Sequence, residues 1–141
     1  MQKMTPAEIR TFLTGRPRTA SLATVRADGR PHVAPIWIDL DGDDIIFTTW
    51  HQSVKGANLR RDPRVCLCVD DSAPPFAFVQ IEGTVAISDD PERLKYWATR
   101  IGGRYMGQAQ AQAYGQRNSV PGELLVRVTP AKIVALKNIS D

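Results

Sequence analysis

Two Asp-Gly pairs, Asp28-Gly29 and Asp41-Gly42, each stand between runs in which apolar and polar residues alternate. A tight two-residue hairpin turn needs positive φ at its central positions. Glycine takes that conformation freely and aspartate tolerates it, so this dipeptide between alternating runs dictates an antiparallel hairpin. The spacing predicts strands at Arg18–Val25, His32–Leu40 and Asp44–Thr49, a meander of three antiparallel strands. A fourth strand is predicted at Val65–Val69, followed by an irregular turn at Pro74-Pro75. The fifth runs from Phe76 to Ile87, with Phe78, Gln80 and Glu82 on one face, Val79, Ile81 and Gly83 on the other, and Gly83 marking a bulge or bend. The last stretch, Gly122–Ile139, is again extended, with Pro130 at an edge or bend.

Helix signals punctuate these strands. Thr5 and Glu8 form a capping box with Pro6 at the first helical position, and Ile9, Phe12 and Leu13 share a face before Gly15. Ser53 caps a helix that Pro63 must end, and Asp90 with Pro91 opens another whose stripe of Leu94, Trp97, Ala98 and Ile101 runs to Gly102-Gly103. Residues 105–118 are glutamine and small residues with no apolar stripe, which predicts a mobile helical or irregular excursion. Six strands with two or three helices make a mainly β (α+β) chain, a six-stranded antiparallel barrel with peripheral helices in a single domain over residues 1–141.

Composition excludes several classes. Cys66 and Cys68, two apart on a strand, share a face and suit neither a disulfide nor a redox pair, which fits a reducing cytosol. No apolar run approaches the roughly 18 residues that span a bilayer, and the amino terminus lacks a signal-peptide core, so a soluble cytoplasmic protein is expected. The net charge of +3 is too small a surplus for a nucleic-acid binder. Its basic residues gather instead as Lys55, Arg60, Arg61 and Arg64 around the central helix. The isolated His32 and His51 make neither a triad nor a metal cluster with ligand spacing.

The run Phe47–Arg64 carries the functional signal: an apolar strand, two hydroxyls at Thr48 and Thr49, Trp50, then Ser53 capping a helix with Lys55 in its first turn. The first amides of a helix lack intrahelical acceptors and lie at the positive end of its dipole, so this arrangement suits an anion such as a phosphate. An ordinary capped surface helix with a solvated Lys55 satisfies the same pattern.

Taken together, Asp28-Gly29-Arg30-Pro31-His32, Phe47-Thr48-Thr49 leading to Ser53-Val54-Lys55, Asn58-Leu59 before Asp62-Pro63, Glu82-Gly83 and Val128-Thr129-Pro130 form an ordered series. The chain resembles the split β-barrel flavin- and deazaflavin-binding proteins related to pyridoxamine 5′-phosphate oxidase over nearly its whole length. That resemblance implies a homodimer with a phosphate-bearing isoalloxazine or deazaflavin in a groove between subunits. It implies that Ala34, Pro35, Ile36 and Trp37 line the ring, with Thr48, Thr49 and Trp50 at the ring or ribityl region. Ser53, Val54 and Lys55 would hold the phosphate, with Asn58, Arg60 and Arg61 in the same run, and Phe78 and Gln80 would reach the site from the fifth strand. Trp37, Trp50 and Phe78 also have ordinary readings as core or interface aromatics.

Two departures direct the reading. Pyridoxamine phosphate oxidases carry arginine where this chain has Val54, and arginine and histidine near the carboxyl end where it offers Arg127 and Lys132. The run Lys55-x-x-Asn58-Leu59-Arg60-Arg61-Asp62-Pro63-Arg64 resembles the coenzyme F420-dependent branch, whose anionic tail the basic residues complement. The expected function is therefore hydride transfer from reduced F420 to a small conjugated organic acceptor. An FMN-dependent oxidase or reductase and a non-catalytic F420 carrier are the alternatives. Trp50, His51, Tyr105 and Tyr114 are, by residue type, the candidates for relaying the accompanying proton.

Overall fold

The computed structural model describes residues 1–141. Its elements in chain order are β1 (Gln2–Lys3), α1 (Pro6–Thr14), β2 (Ala20–Val25), β3 (Pro31–Ile36), β4 (Asp39–Asp41), β5 (Asp44–Trp50), α2 (Val54–Arg61), β6 (Arg64–Asp71), β7 (Ala77–Ser88), α3 (Pro91–Met106), α4 (Ala111–Arg117) and β8 (Glu123–Lys137). A single 3-10 turn, Gln108–Gln110, joins α3 to α4. The eight strands form one antiparallel sheet in the order β3-β2-β6-β7-β8-β5-β4, with β1 added beside the end of β8. This is the split-barrel architecture, with its three helix caps at Thr5, Ser53 and Asp90 all formed as the sequence dictates.

The strand count of six becomes eight because the predicted strand His32–Leu40 is two. β3 pairs with β2 and β4 pairs with β5, at opposite ends of the strand order, so no three-stranded meander exists. The chain leaves the ladder at Trp37-Ile38, where α3 satisfies its backbone: Ile38 N–H donates to Tyr105 Oη at 3.1 Å and Arg104 Nη1 donates to Ile38 O at 3.2 Å. The other additional strand is the two-residue β1.

β8 is the strand that holds the sheet together. It pairs with β7 along its length, with β5 over Glu123–Val128 and with β1 at Leu136–Lys137. Between those two partners Pro130 stands opposite Gly83, where the β7–β8 register shifts. A proline has no N–H to place in a ladder, and here it meets the bulge in a stretch with β7 alone beside it. A Cβ on Gly83 would lie 2.4 Å from Thr129 O, so only glycine fits the bulge.

Two apolar clusters follow from the alternation. Leu22, Phe47, Leu67, Val79, Ile81, Val126 and Val128 fill the barrel, and α1 inserts Leu13 into the same core. On the other face of β5 and β8, Ile46 and Leu125 meet Leu94, Trp97 and Ile101 of α3. Cys66 and Cys68 are free and half-buried on the outward face of β6, and burial pushes both thiols up.

Of the helical or irregular excursion expected over residues 105–118, the structure shows the helical form. α3 runs through Gly102-Gly103 to Met106, and α4 packs back against it. A Cβ on Gly102 would sit 2.5 Å from Tyr114 Cβ, and one on Gly115 would sit 2.0 Å from Thr99 Oγ1. The glycines are contact positions where two helix backbones approach, which replaces the missing apolar stripe.

Candidate functional site

The helix turn after β5 is built on Ser53. With φ −65° and ψ 157° it is extended, and its Oγ accepts from Gly56 N–H at 3.0 Å. The same hydroxyl donates to Trp50 O at 2.7 Å and lies 3.0 Å from Thr49 Oγ1, so its hydrogen-bonding capacity is filled within the chain. Gly56 N–H is taken by Ser53 Oγ and Ala57 N–H by Ser53 O, which leaves the Val54 and Lys55 amides as the open donors at the start of α2. The anion site expected at this helix start has those two amides and the Lys55 ammonium available to it, while Ser53 serves as the cap.

Beside this turn lies a cleft of about 610 Å³. Pro35, Ile36 and Trp37 form one wall, Thr48, Thr49 and Trp50 of β5 another, and Ser53 and Lys55 close one end. Trp37 stacks on Tyr105 with centroids 5.0 Å apart and planes 6° apart, and Tyr114 of α4 stands 5.9 Å away. Trp50 is held by Gly122, which has φ 104° and approaches so closely that a Cβ there would meet the indole ring at 2.5 Å. His51 packs edgewise on Trp50, and its Nδ1 lies 3.0 Å from Gly122 O. A carbonyl only accepts, so Nδ1 is the donor in this contact.

The remaining predicted residues lie outside this lining. Val54 is 46% exposed, and Ala34 is half-buried opposite Leu22 of β2. Asn58 is only 4% exposed; its amide donates to Thr24 Oγ1 at 3.0 Å and its carbonyl accepts from Arg61. Arg61 also reaches back to Val25 O at 2.6 Å, and Arg60 donates to His51 O at 2.8 Å. Arg64 pairs with Asp62 and holds that carboxyl down to about 2. The basic cluster of the sequence therefore braces α2 against its neighbours, and Lys55 alone of it lines the cleft. Phe78 and Gln80 are on the outward face of β7, opposite Asp70 and Cys68 of β6.

Tyr105 has no free hydroxyl, since Oη donates to Arg18 O at 2.7 Å while accepting from Ile38 N–H. Burial pushes its pKa up. Neither bond was legible from residue type.

Sequence reasoning passed over Thr19, Ala98, Ile101, Arg117, Asn118 and Glu123, which complete the lining. Arg117 stands over the Tyr114 ring at 5.4 Å. Glu123, opposite Trp50 in the β5–β8 register, has its carboxyl pushed up by burial against the pull of Arg117, Lys55 and His51. A signal was present: Arg117 and Glu123 are the charged residues bracketing the turn into the last strand.

A cleft with apolar and aromatic walls, hydroxyls along one side and open amides with a lysine at one end fits a planar ring carrying an anionic group. The family model described as pyridoxamine 5′-phosphate oxidase matches residues 5–137. A pyridoxine/pyridoxamine 5′-phosphate oxidase of Cupriavidus taiwanensis is 35% identical over 113 residues, 75% of this chain and 49% of the relative. The chain thus spans about half the length of the curated relatives it matches. Among solved structures, the conserved hypothetical protein Rv2991 of Mycobacterium tuberculosis superposes with TM-score 0.84 at 29% identity, covering 97% of this chain and 87% of that one. A structure described as an F420 reductase superposes with TM-score 0.68 at 28% identity, covering 87% and 94%.

Proposed function

The chain belongs to the pyridoxamine 5′-phosphate oxidase family, and on that premise we propose that its cleft binds reduced coenzyme F420 and that the protein is an oxidoreductase passing a hydride to a small conjugated organic acceptor. The observation that carries this reading is the pair of open amides of Val54 and Lys55 beside a cleft walled by Trp37 and Thr48–Trp50. Val54 stands where the resemblance places the arginine that grips FMN phosphate, and its side chain faces solvent. The F420 reductase likeness, at 28% identity, supports the same choice.

When bound, the reduced deazaflavin supplies the hydride. The chain's part is to bind, orient and exclude water. The Lys55 ammonium and the two amides hold the anion, Pro35–Trp37 and Thr48–Trp50 set the plane of the ring, and the Trp37–Tyr105 stack keeps the wall rigid. His51 Nε2, free of intrachain bonds, is the proton-handling atom beside the cleft.

The reading extends to a homodimer joined through the outward face of β2, β3, β6, β7 and β8. That face bears Val33 at 64% exposure, Val134 at 37%, and Cys66, Cys68, Phe78 and Gln80. Across such an interface Phe78 and Gln80 face the partner's cleft.

Titration of the purified protein with F420 and with FMN, each repeated with Lys55→Ala, tests the proposal. Tight F420 binding lost in the variant is the expected result. Preference for FMN assigns the protein to flavin chemistry, binding without turnover of any acceptor makes it a carrier, and binding of neither overturns the cofactor reading.

A further inference from the structure

α3 separates two concavities. It presents Ala98 and Ile101 to the cleft. To a second space of about 440 Å³, bounded by α1, β4 and α3, it presents Arg100 and Arg104, one turn apart. Arg10 of α1, Asp39 of β4 and Gln108 of the 3-10 turn add to that polar lining. Three guanidiniums thus share the space with a single carboxylate. Asp39 is only 8% exposed and already engaged: Oδ1 accepts from Leu40 N–H at 2.8 Å, Oδ2 accepts from Arg100 Nε at 3.2 Å, and Arg104 Nη1 lies 3.8 Å from Oδ1. Of the nearby acids, Asp41 and Asp44 are paired with Arg127, and Asp43 lines a different concavity. The lining therefore keeps two net positive charges.

The arginines are fixed by part of their donor set. Arg10 Nη1 donates to Gly42 O at 2.8 Å, and Arg104 donates to Ile38 O and Leu13 O. Arg100 spends Nε on Asp39 and lies over the Trp97 and Tyr96 rings at 5.5 and 5.8 Å. That leaves Nε and Nη2 of Arg10 without acceptors, and the Nη groups of Arg100 without a bond to carboxylate or backbone.

We infer that this space is a second anion site, on the side of α3 turned from the cleft, and that it takes a phosphoryl group as its dianion between Arg10 and Arg100. A dianion cancels both surplus charges where a monoanion cancels one, and planar guanidinium forks match phosphate oxygens in pairs. The space is larger than a bare phosphate needs, so inorganic phosphate and the monoester of a small alcohol both fit. The bound ligand joins α1 to α3 across Asp39, the residue that follows the Trp37-Ile38 crossing.

The test is calorimetric titration at about pH 8, where phosphate is mainly dianionic, and at constant ionic strength. The ligands are inorganic phosphate, glycerol 3-phosphate and, as the monoanion, acetate. Lys55→Ala serves as the background, since it removes the ammonium of the cleft, and Arg10→Gln, Arg100→Gln and Arg100→Lys are made in it. Phosphate should bind the background protein, and each glutamine variant should weaken it about tenfold or more. Arg100→Lys, which keeps the charge, should lose less, and acetate should bind far more weakly than phosphate. Arg10 is exposed, so Arg10→Gln carries the test even where the loss of the Arg100–Asp39 pair unfolds its variant. A tighter glycerol 3-phosphate identifies a monoester as the ligand, and a weaker one identifies free phosphate. Phosphate that fails to bind the background protein, that binds the Arg10→Gln variant undiminished, or that acetate equals overturns the inference. No deazaflavin or flavin enters the experiment, so its outcome is independent of the cofactor reading.

Discussion

The hydroxyl of Tyr105 joins two backbone groups far apart in sequence: Arg18 O lies 87 residues away and Ile38 N–H 67. Tyr105→Phe keeps the Trp37 stack and strands both groups, so it should cost about 1–3 kcal/mol in urea denaturation. Residue type alone marked this phenol, together with Tyr114, for proton transfer. What its hydroxyl meets is decided by the closed fold, which no local pattern encodes. Asn58 was legible as a marked position but not as an internal strut, for the same reason. Glu123 makes a pH prediction. Its folded pKa is raised, so its contribution is fully present below the unfolded glutamate value near 4.3 and is lost as pH rises through the folded value. In thermal melts Glu123→Gln should therefore be more stable than wild type at pH 8, with the difference vanishing below about pH 4.

Helix starts were legible because the capping residue and the amides it serves are sequence neighbours. Ser53→Ala should destabilise by about 1 kcal/mol in the same denaturation assay, since it removes the Gly56 cap and the Thr49 contact together. Helix ends and strand breaks were less so. Ile36, Ile38 and Leu40 alternate as a continuous strand would, and the division at Trp37-Ile38 comes from Tyr105 and Arg104, which arrive from α3. The glycine pair in α3 likewise reads as a stop until α4 is seen against it. Gly115→Ala places a methyl against Thr99 and should cost about 1–3 kcal/mol. Added Thr99→Ala should recover part of that loss, so the two changes measured in a double-mutant cycle should be non-additive.

For the whole molecule, the proposed dimer face is the testable feature. Val134 is already 37% exposed, so Val134→Arg should leave the fold intact while converting a sedimenting dimer to monomer and weakening cofactor binding. A sedimentation profile that is unchanged places the interface elsewhere. The barrel class was legible because each strand and turn announces itself locally. The strand order was not, because β8 finds β7, β5 and β1 across most of the chain. The crossing at Trp37-Ile38 ties these observations to time. β3 can pair with β2 through a short turn, but β4 reaches its final position only when β5 has docked on β8, a strand more than 70 residues further along the chain. Distant pairings form late because their loop closure must precede any gain. The wall carrying Trp37 therefore acquires its second anchor at the end of refolding. Ligand-binding competence should arise there in one step, after the β2–β3 hairpin and much of the secondary structure are in place.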